Sequence, residues 1–93
     1  MTDFSSVRGK VAIVTGASRG IGEAISRIYA ENSMKVVCAA RSKDTGDALA
    51  QSIRASGGEA VFRQTDCSDP QEIKALVDFT LEQYGRLDGV VSN

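Results

Sequence analysis

The sequence predicts an α/β fold in which a parallel sheet, in the strand order 3-2-1-4, carries helices on both faces. Two observations predict it. Apolar, β-branched runs alternate with segments of helical periodicity along the chain, which favours parallel strands joined by right-handed crossovers. A glycine-rich turn also follows the first apolar run directly, as in folds of the Rossmann type. We expect such a sheet, truncated after its fourth strand.

The first two strands are predicted over Lys10–Thr15 and Val36–Ala40, which are short apolar runs. Between them, apolar side chains recur with helical spacing and predict one stripe facing the sheet: Ile21, Ala24, Ile25, Ile28 and Tyr29. Ser42 or Asp44 caps a second helix, which Gly57-Gly58 ends.

A third strand is predicted over Ala60–Phe62 and a fourth over Leu87–Ser92. The helix between them begins at Asp69-Pro70-Gln71-Glu72. This segment has a carboxylate at the N-cap, proline at the first helical position and glutamate at the third, as in a capping box. Gly85 ends the helix. Tyr84, just before it, is interpreted as the last residue of the core-facing stripe.

Size and composition indicate one small domain over residues 1–93. A net charge of −1 gives no reason to expect a nucleic acid or a membrane surface as partner. Met1–Ser6 lack the basic and apolar regions of a secretion signal. Cys38 and Cys67 lack zinc-ligand spacing, so we expect two reduced thiols in a cytoplasmic chain. The absence of histidine excludes histidine-based acid–base or metal chemistry.

The turn after the first strand contains three glycines. Because glycine lacks a Cβ, it is favourable where the backbone turns unusually or another group comes close. We expect Gly16 to permit the tight turn out of the strand, and Gly22 to let the helix pack closely on the strand. At Gly20, a side chain would keep a pyrophosphate away from the backbone. The G-x-x-x-G-x-G spacing differs from G-x-G-x-x-G, and no P-loop Lys-Ser or Lys-Thr pair follows. A connection that binds nothing is the alternative.

Together with a second segment, this turn resembles the short-chain dehydrogenase/reductase family. Thr15–Gly22 resembles that family's TGxxxGxG segment, and Gly85–Asn93 resembles its G-R-[IL]-D-x-[LV]-V-N-N run. The resemblance implies that Asp66 lies against an adenine ring, with the backbone of Cys67 near it. The dinucleotide-binding residues it implies are Gly16, Ser18, Arg19, Gly20, Ile21, Gly22, Arg41, Asp66, Cys67 and Asn93.

Two positions depart from the family pattern. Ser92 replaces the first of the paired asparagines, so a structural contact of that asparagine is in question. Asn32-Ser33 stands at a helix end where many members of the family have glycine. Asparagine tolerates the left-handed conformation, so we expect Asn32 to preserve the turn.

The residues at the end of the second strand favour NADP over NAD. An NAD enzyme needs a carboxylate there for the adenosine ribose, whereas this chain has Ala40. Arg41 follows, and its planar cation matches a 2′-phosphate bidentately. Arg19 can approach the same phosphate. The alternative is that two basic residues lie here by accident and only solvate the surface.

The resemblance also implies a catalytic Ser, Tyr and Lys, the last two in Y-x-x-x-K. The residues four positions after Tyr29 and Tyr84 are Ser33 and Asp88, neither of them lysine. We therefore expect the NADP-binding half of a carbonyl or alcohol oxidoreductase, inactive alone. The alternative is a stand-alone binding or regulatory module that does not catalyse. We also expect self-association through the exposed edge of the fourth strand, Leu87–Ser92.

Overall fold

The computed structural model describes residues 7–93 and alternates strand and helix throughout. The elements are β1 (Val11–Thr15), α1 (Gly20–Glu31), β2 (Lys35–Ala40), α2 (Lys43–Ala55), β3 (Glu59–Gln64), α3 (Pro70–Tyr84) and β4 (Gly89–Val91). All neighbouring strands are parallel, in the order β3-β2-β1-β4, so the predicted fold class and strand order are confirmed. Met1–Ser6, where the sequence predicts no secretion signal, lie outside the described residues. None of the helices described is long and apolar enough to span a membrane.

Helices cover both faces of the sheet, and the two central strands are therefore buried on both sides. Alternate side chains of the strands face α1 and α2 on one side and α3 on the other. The first set includes Val14, Val36, Cys38 and Ala60, and the second includes Ile13, Val37 and Ala39. Burial raises the pKa of Cys38 to about 11, so this thiol stays neutral inside the core.

The face that α1 presents to the sheet differs from the predicted stripe. Ile21 is 70% exposed and Ile28 is 47% exposed, whereas the fully buried positions carry the small residues Gly22, Ser26 and Ala30. At Gly22 a Cβ would overlap the Gly16 carbonyl oxygen, and the Ser26 hydroxyl donates to the Gly22 carbonyl, 2.8 Å away. Ile25 and Tyr29 of the predicted stripe pack against the core, whereas Ile21, Ala24 and Ile28 are exposed, so the predicted stripe is confirmed only in part.

The predicted start and end of α3 are confirmed. The Asp69 carboxylate accepts a hydrogen bond from the backbone N–H of Gln71 at 2.9 Å, and Pro70 begins the helix. Gly85 ends the helix in the left-handed conformation, with φ of 76°. At the start of α2, Ser42 rather than Asp44 is the N-cap, and its side chain makes no capping hydrogen bond.

β4 is shorter than predicted because a side chain replaces part of its hydrogen bonding to β1. The backbone N–H of Asp88 donates to the Val11 carbonyl, and the Asp88 carboxylate accepts from the Val11 N–H, both at 2.8 Å. Arg86 donates to both oxygens of that carboxylate, at 2.8 and 2.7 Å. Arg86 above all, with the Val11 N–H, holds the pKa of Asp88 below its usual range. The Asp88 carboxylate therefore stays ionised at neutral pH.

The turn between α1 and β2 uses a left-handed residue, but Asn32 is not that residue. Asn32 has φ of −99°, and its amide donates to the Ile28 carbonyl at 2.7 Å. Ser33 has φ of 67°, and its carbonyl accepts from the Gly9 N–H at 2.8 Å. The prediction for Asn32 was wrong by one position, since the side chain of Asn32 is already bonded to the last turn of the helix.

The left-handed conformation of Ser33 leads to a stability prediction. A non-glycine residue pays roughly 1–2 kcal/mol for this conformation, so Ser33→Gly should raise the free energy of unfolding by about 1 kcal/mol after the entropy cost of glycine. Urea denaturation followed by circular dichroism measures the change. Asn32→Gly is the matched control and should not stabilise, since φ at position 32 is negative. A Ser33→Gly chain no more stable than its parent would contradict the prediction.

Candidate functional site

A cleft of about 370 Å³ opens at the carboxyl edge of the sheet. The turn after β1, the ends of β2 and β3, and the segment after β4 form its walls. The predicted site residues that line it are Gly16, Ser18, Arg19, Arg41, Cys67 and Asn93; the others in the lining are Thr15, Ala40, Ser42, Thr65, Ser68 and Ser92. Open α/β sheets bind ligands in the crevice at this edge. The volume lies within the ~300–1,000 Å³ typical of small-molecule sites.

Glycines bring the first helix against the turn that precedes it. Gly16 has φ of 62°, a conformation that favours glycine. A Cβ on Gly22 would overlap the carbonyl oxygen of Gly16 and lie 2.8 Å from the Asn93 amide nitrogen. Gly20 has φ of 61°, and a Cβ there would meet no described atom within 4 Å. Open space therefore adjoins Gly20, whereas the Gly16 carbonyl and the Asn93 amide fill the space next to Gly22.

Asn93 braces this turn. Its backbone N–H donates to the hydroxyl of Thr15 at 3.0 Å, and its side-chain amide donates to the Gly16 carbonyl at 3.3 Å. The Thr15 hydroxyl in turn donates to the Val91 carbonyl at 3.2 Å. The strand ends of β1 and β4 are thus joined on the floor of the cleft, and Asn93 holds the backbone of the turn.

The N-terminus of α1 faces this cleft without a side-chain cap. Arg19 is the N-cap residue, its backbone is extended, and its side chain caps no described N–H group. The first N–H groups of a helix have no partner within the helix, and the helix dipole is positive at this end. The predicted site residues Gly20, Ile21 and Gly22 form the first turn of α1, and none of them lines the cleft itself. The arrangement favours an anion.

Arg41 and Asp66, predicted separately from the sequence, form an ion pair at the rim. One Arg41 nitrogen lies 3.1 Å from Oδ1 of Asp66. The same oxygen accepts from the backbone N–H of Ser68 at 3.0 Å and from its hydroxyl at 2.6 Å. The Ser68 hydrogen bonds, reinforced by Arg41, hold the pKa of Asp66 below its usual range. Asp66 lines a neighbouring depression rather than the main cleft, and Arg41 borders both.

The charge at the end of β2 is positive. Ala40 ends the strand, and the Arg41 side chain is 76% exposed, with Nε and one terminal nitrogen without a protein partner in the described part of the chain. The backbone carbonyl of Arg41 accepts from the Gln64 amide at 3.0 Å, which links the ends of β2 and β3. Cys67 carries a free thiol. Partial burial, together with the Asp66 carboxylate, raises the pKa of Cys67, so its side chain adds no charge.

Sequence reasoning missed one contact at this rim. Glu72 was interpreted as part of a capping box, whose glutamate bonds the N-cap N–H group. Instead its carboxylate accepts from the backbone N–H of Asp66 at 2.8 Å, and the N–H of Asp69 donates to the carbonyl of Asp66 at 3.1 Å. The same sequence pattern fits both arrangements, so no sequence feature distinguishes them.

Tyr84 lies away from this cleft. Its hydroxyl donates to the Glu59 carboxylate at 3.1 Å, at the start of β3, which is the amino edge of the sheet. Burial raises the pKa of Tyr84, and the Glu59 charge raises it further. Residues 7–93 contain no cluster of acidic or sulfur side chains that could hold a metal ion.

The chain matches known proteins along nearly its whole length. A family model described as short chain dehydrogenase matches residues 10–93. An uncharacterized oxidoreductase of Listeria innocua is 42% identical over 88 residues, covering 95% of this chain and 36% of that protein. Carbonyl reductase [NADPH] 1 of Mus musculus is 46% identical over 84 residues, covering 89% and 30%. The chain therefore spans about a third of the length of these relatives.

The fold is also similar to that of a solved structure. The crystal structure of a short chain dehydrogenase/reductase from Burkholderia phymatum in complex with NAD superposes with a TM-score of 0.88 and 33% identity. The superposition covers 90% of this chain and 30% of that one. The four strands and three helices therefore have the arrangement of that protein's corresponding part.

The lack of space for a Cβ at Gly22 leads to a second prediction. In an open helix interior, alanine would be more favourable than glycine by roughly 1 kcal/mol, but a Cβ here overlaps the Gly16 carbonyl. Gly22→Ala should therefore lower the free energy of unfolding by about 1–3 kcal/mol, the usual cost of overpacking. Gly89→Ala is the control, because a Cβ at Gly89 meets nothing within 4 Å. Thermal denaturation of both variants decides the matter, and a stabilised Gly22→Ala chain would refute the overlap.

Proposed function

The chain belongs to the short-chain dehydrogenase family, and on that premise we propose that it supplies the NADP-binding part of a carbonyl or alcohol oxidoreductase. The relatives it matches are oxidoreductases, and it spans about a third of their length. The free thiols of Cys38 and Cys67 support a reducing, cytoplasmic setting.

The glycine turn supports binding of the pyrophosphate. The N-terminus of α1 has no side-chain cap and begins next to Arg19, which lines the cleft, so its free N–H groups and positive dipole end would attract an anion, and the open space at Gly20 would admit that anion to the backbone. Gly22 lets α1 pack against this turn, and the Asn93 amide donates to the Gly16 carbonyl, so both residues hold the turn in position. The bound nucleotide would then follow the carboxyl edge of the sheet towards Arg41 and Asp66.

The end of β2 carries the proposal of NADP rather than NAD. Arg41 directs an exposed guanidinium to the rim, where Ala40 takes the place of the carboxylate that NAD requires. Two nitrogens of Arg41 have no partner among residues 7–93 and would be available for a 2′-phosphate, a group that guanidinium binds bidentately. Arg19 adds a second cation to the same cleft. The mouse relative bears NADPH in its name, and the Burkholderia phymatum protein binds NAD.

NADPH, when bound, supplies a hydride to a carbonyl carbon. A positioned proton donor must complete the reduction, and neither tyrosine of this sequence is followed by lysine at the fourth position. We therefore expect nucleotide binding without NADPH oxidation by this chain alone. The alternative is a binding or regulatory module. A coding sequence that continues past Asn93 into Ala-Gly and a later Y-x-x-x-K favours the oxidoreductase, whereas a stop codon favours the module.

A nucleotide titration tests this function. Isothermal titration should show tighter binding of NADP than of NAD. Arg41→Ala should weaken NADP by about 1–3 kcal/mol, the range for a charge-assisted hydrogen bond, and leave NAD almost unchanged, because two Ser68 donors still hold Asp66. Lys74→Ala is the charge-matched control, since Lys74 pairs with Asp78 on α3 outside the cleft. Equal losses for NADP and NAD in Arg41→Ala would refute the role of Arg41 at the 2′-phosphate.

We also propose that two copies of this chain associate through β4. Its backbone pairs with β1 along one edge, and in residues 7–93 no strand covers the other edge, where Val90 is 56% exposed. Such edges promote pairing with another chain. Sedimentation velocity should show a mass that rises with protein concentration, and Val90→Lys should shift the chain to monomer. A parent chain that stays monomeric at high concentration would contradict this proposal.

A further inference from the structure

We propose that Glu72 is a positioning residue for the adenine end of the nucleotide: it holds the backbone of Asp66, and Asp66 then presents one carboxylate oxygen to the ligand. This inference rests on the proposed function of the cleft. It adds a residue of α3 that does not line the main cleft.

The backbone of Asp66 is held on both sides. Its N–H donates to the Glu72 carboxylate at 2.8 Å, and its carbonyl accepts from the N–H of Asp69 at 3.1 Å. The preceding residue, Thr65, is buried and donates its N–H to the Ala40 carbonyl at 2.8 Å. Of these three contacts, the one from Glu72 is made by a side chain and can be removed by substitution.

The Asp66 carboxylate is oriented by its own hydrogen bonds. Three donors converge on Oδ1: the N–H and the hydroxyl of Ser68, and one nitrogen of Arg41. No donor from residues 7–93 contacts Oδ2. A carboxylate oxygen accepts two hydrogen bonds, and the exocyclic amine of adenine is a matching donor. Fixing the backbone of Asp66 therefore fixes the direction in which this oxygen accepts.

Glu72 can be changed without removing the start of α3. A glutamate at the third helical position ordinarily bonds the N-cap N–H group, but here the Asp69 N–H already donates to Asp66. The cap itself is the hydrogen bond from the N–H of Gln71 to the Asp69 carboxylate, and it does not involve Glu72. Loss of the Glu72 carboxylate should therefore loosen the Asp66 loop while the helix remains.

The effects of Glu72 and Arg41 on the two nucleotides should differ. Both NADP and NAD contain adenine, so a contact that acts through Asp66 affects both equally. Arg41 is proposed to act on the 2′-phosphate, which only NADP has. The ratio of the two dissociation constants therefore separates a role through Asp66 from a role through Arg41 at the 2′-phosphate.

The experiment titrates the whole chain with NADP and with NAD. Glu72→Ala should raise both dissociation constants by the same factor, about three- to tenfold, as for loss of one hydrogen bond. Glu72→Gln should bind like the parent, because its amide oxygen still accepts from the Asp66 N–H. Glu82→Ala is the control for charge on α3 and should change neither constant. The double variant Asp66→Ala, Glu72→Ala should bind no more weakly than Asp66→Ala alone, since Glu72 acts through Asp66.

Each contrary result identifies its cause. Unchanged binding in Glu72→Ala, while the parent binds both nucleotides, overturns the inference alone. A loss restricted to NADP shows action through Arg41 and overturns it, and an equal loss in Glu72→Gln assigns the effect to charge and also overturns it. A parent chain that binds neither nucleotide overturns the proposed function and the inference with it. Circular dichroism of each variant confirms that the helix has remained.

Discussion

The close approach of α1 to the turn after β1 is the constraint on which the rest of the site depends. Gly22 carries no Cβ, so the helix can begin directly behind the Gly16 carbonyl. That position places the start of α1, which has no side-chain cap, next to Arg19 in the lining of the cleft. The buried face of α1 has the small residues Gly22, Ser26 and Ala30 at its centre, while Ile25 and Tyr29 pack against the core and Ile21 is exposed.

β4 is a short strand, and two polar contacts at its opposite ends hold it against β1. At the amino edge, the Asp88 carboxylate takes the place of a carbonyl in accepting from Val11. At the carboxyl edge, Thr15 and Asn93 join the strand ends and also support the glycine turn. The same contacts that complete the sheet therefore fix the floor of the cleft. Stability and site geometry are coupled here, since Asn93 serves both.

The rim of the cleft brings together Arg41, Asp66, which lies 25 residues further along the chain, and Glu72, six residues after Asp66. Arg41 comes from the end of β2, Asp66 from the end of β3 and Glu72 from the first turn of α3. Asp66 contacts both of the others, through its carboxylate and its N–H respectively. The Arg41–Asp66 ion pair lies at the surface, where such a pair contributes little to stability, and Glu72 adds a hydrogen bond to the Asp66 N–H rather than a second ion pair. These contacts therefore orient side chains at the rim and contribute little to holding the fold together.

The sequence by itself determined the alternation of elements, the parallel order of the strands and the glycine turn, because these depend on local periodicity and on the handedness of crossovers. It also placed the cap at Asp69 correctly. Only the tertiary structure decided the finer points. The left-handed residue is Ser33 rather than Asn32, and Glu72 bonds Asp66 rather than its own N-cap. In both cases the local sequence allows two arrangements: the left-handed residue at position 32 or at position 33, and a Glu72 hydrogen bond to the N–H of Asp66 or to that of Asp69. The choice between such arrangements depends on contacts from other parts of the chain, which a local pattern does not contain.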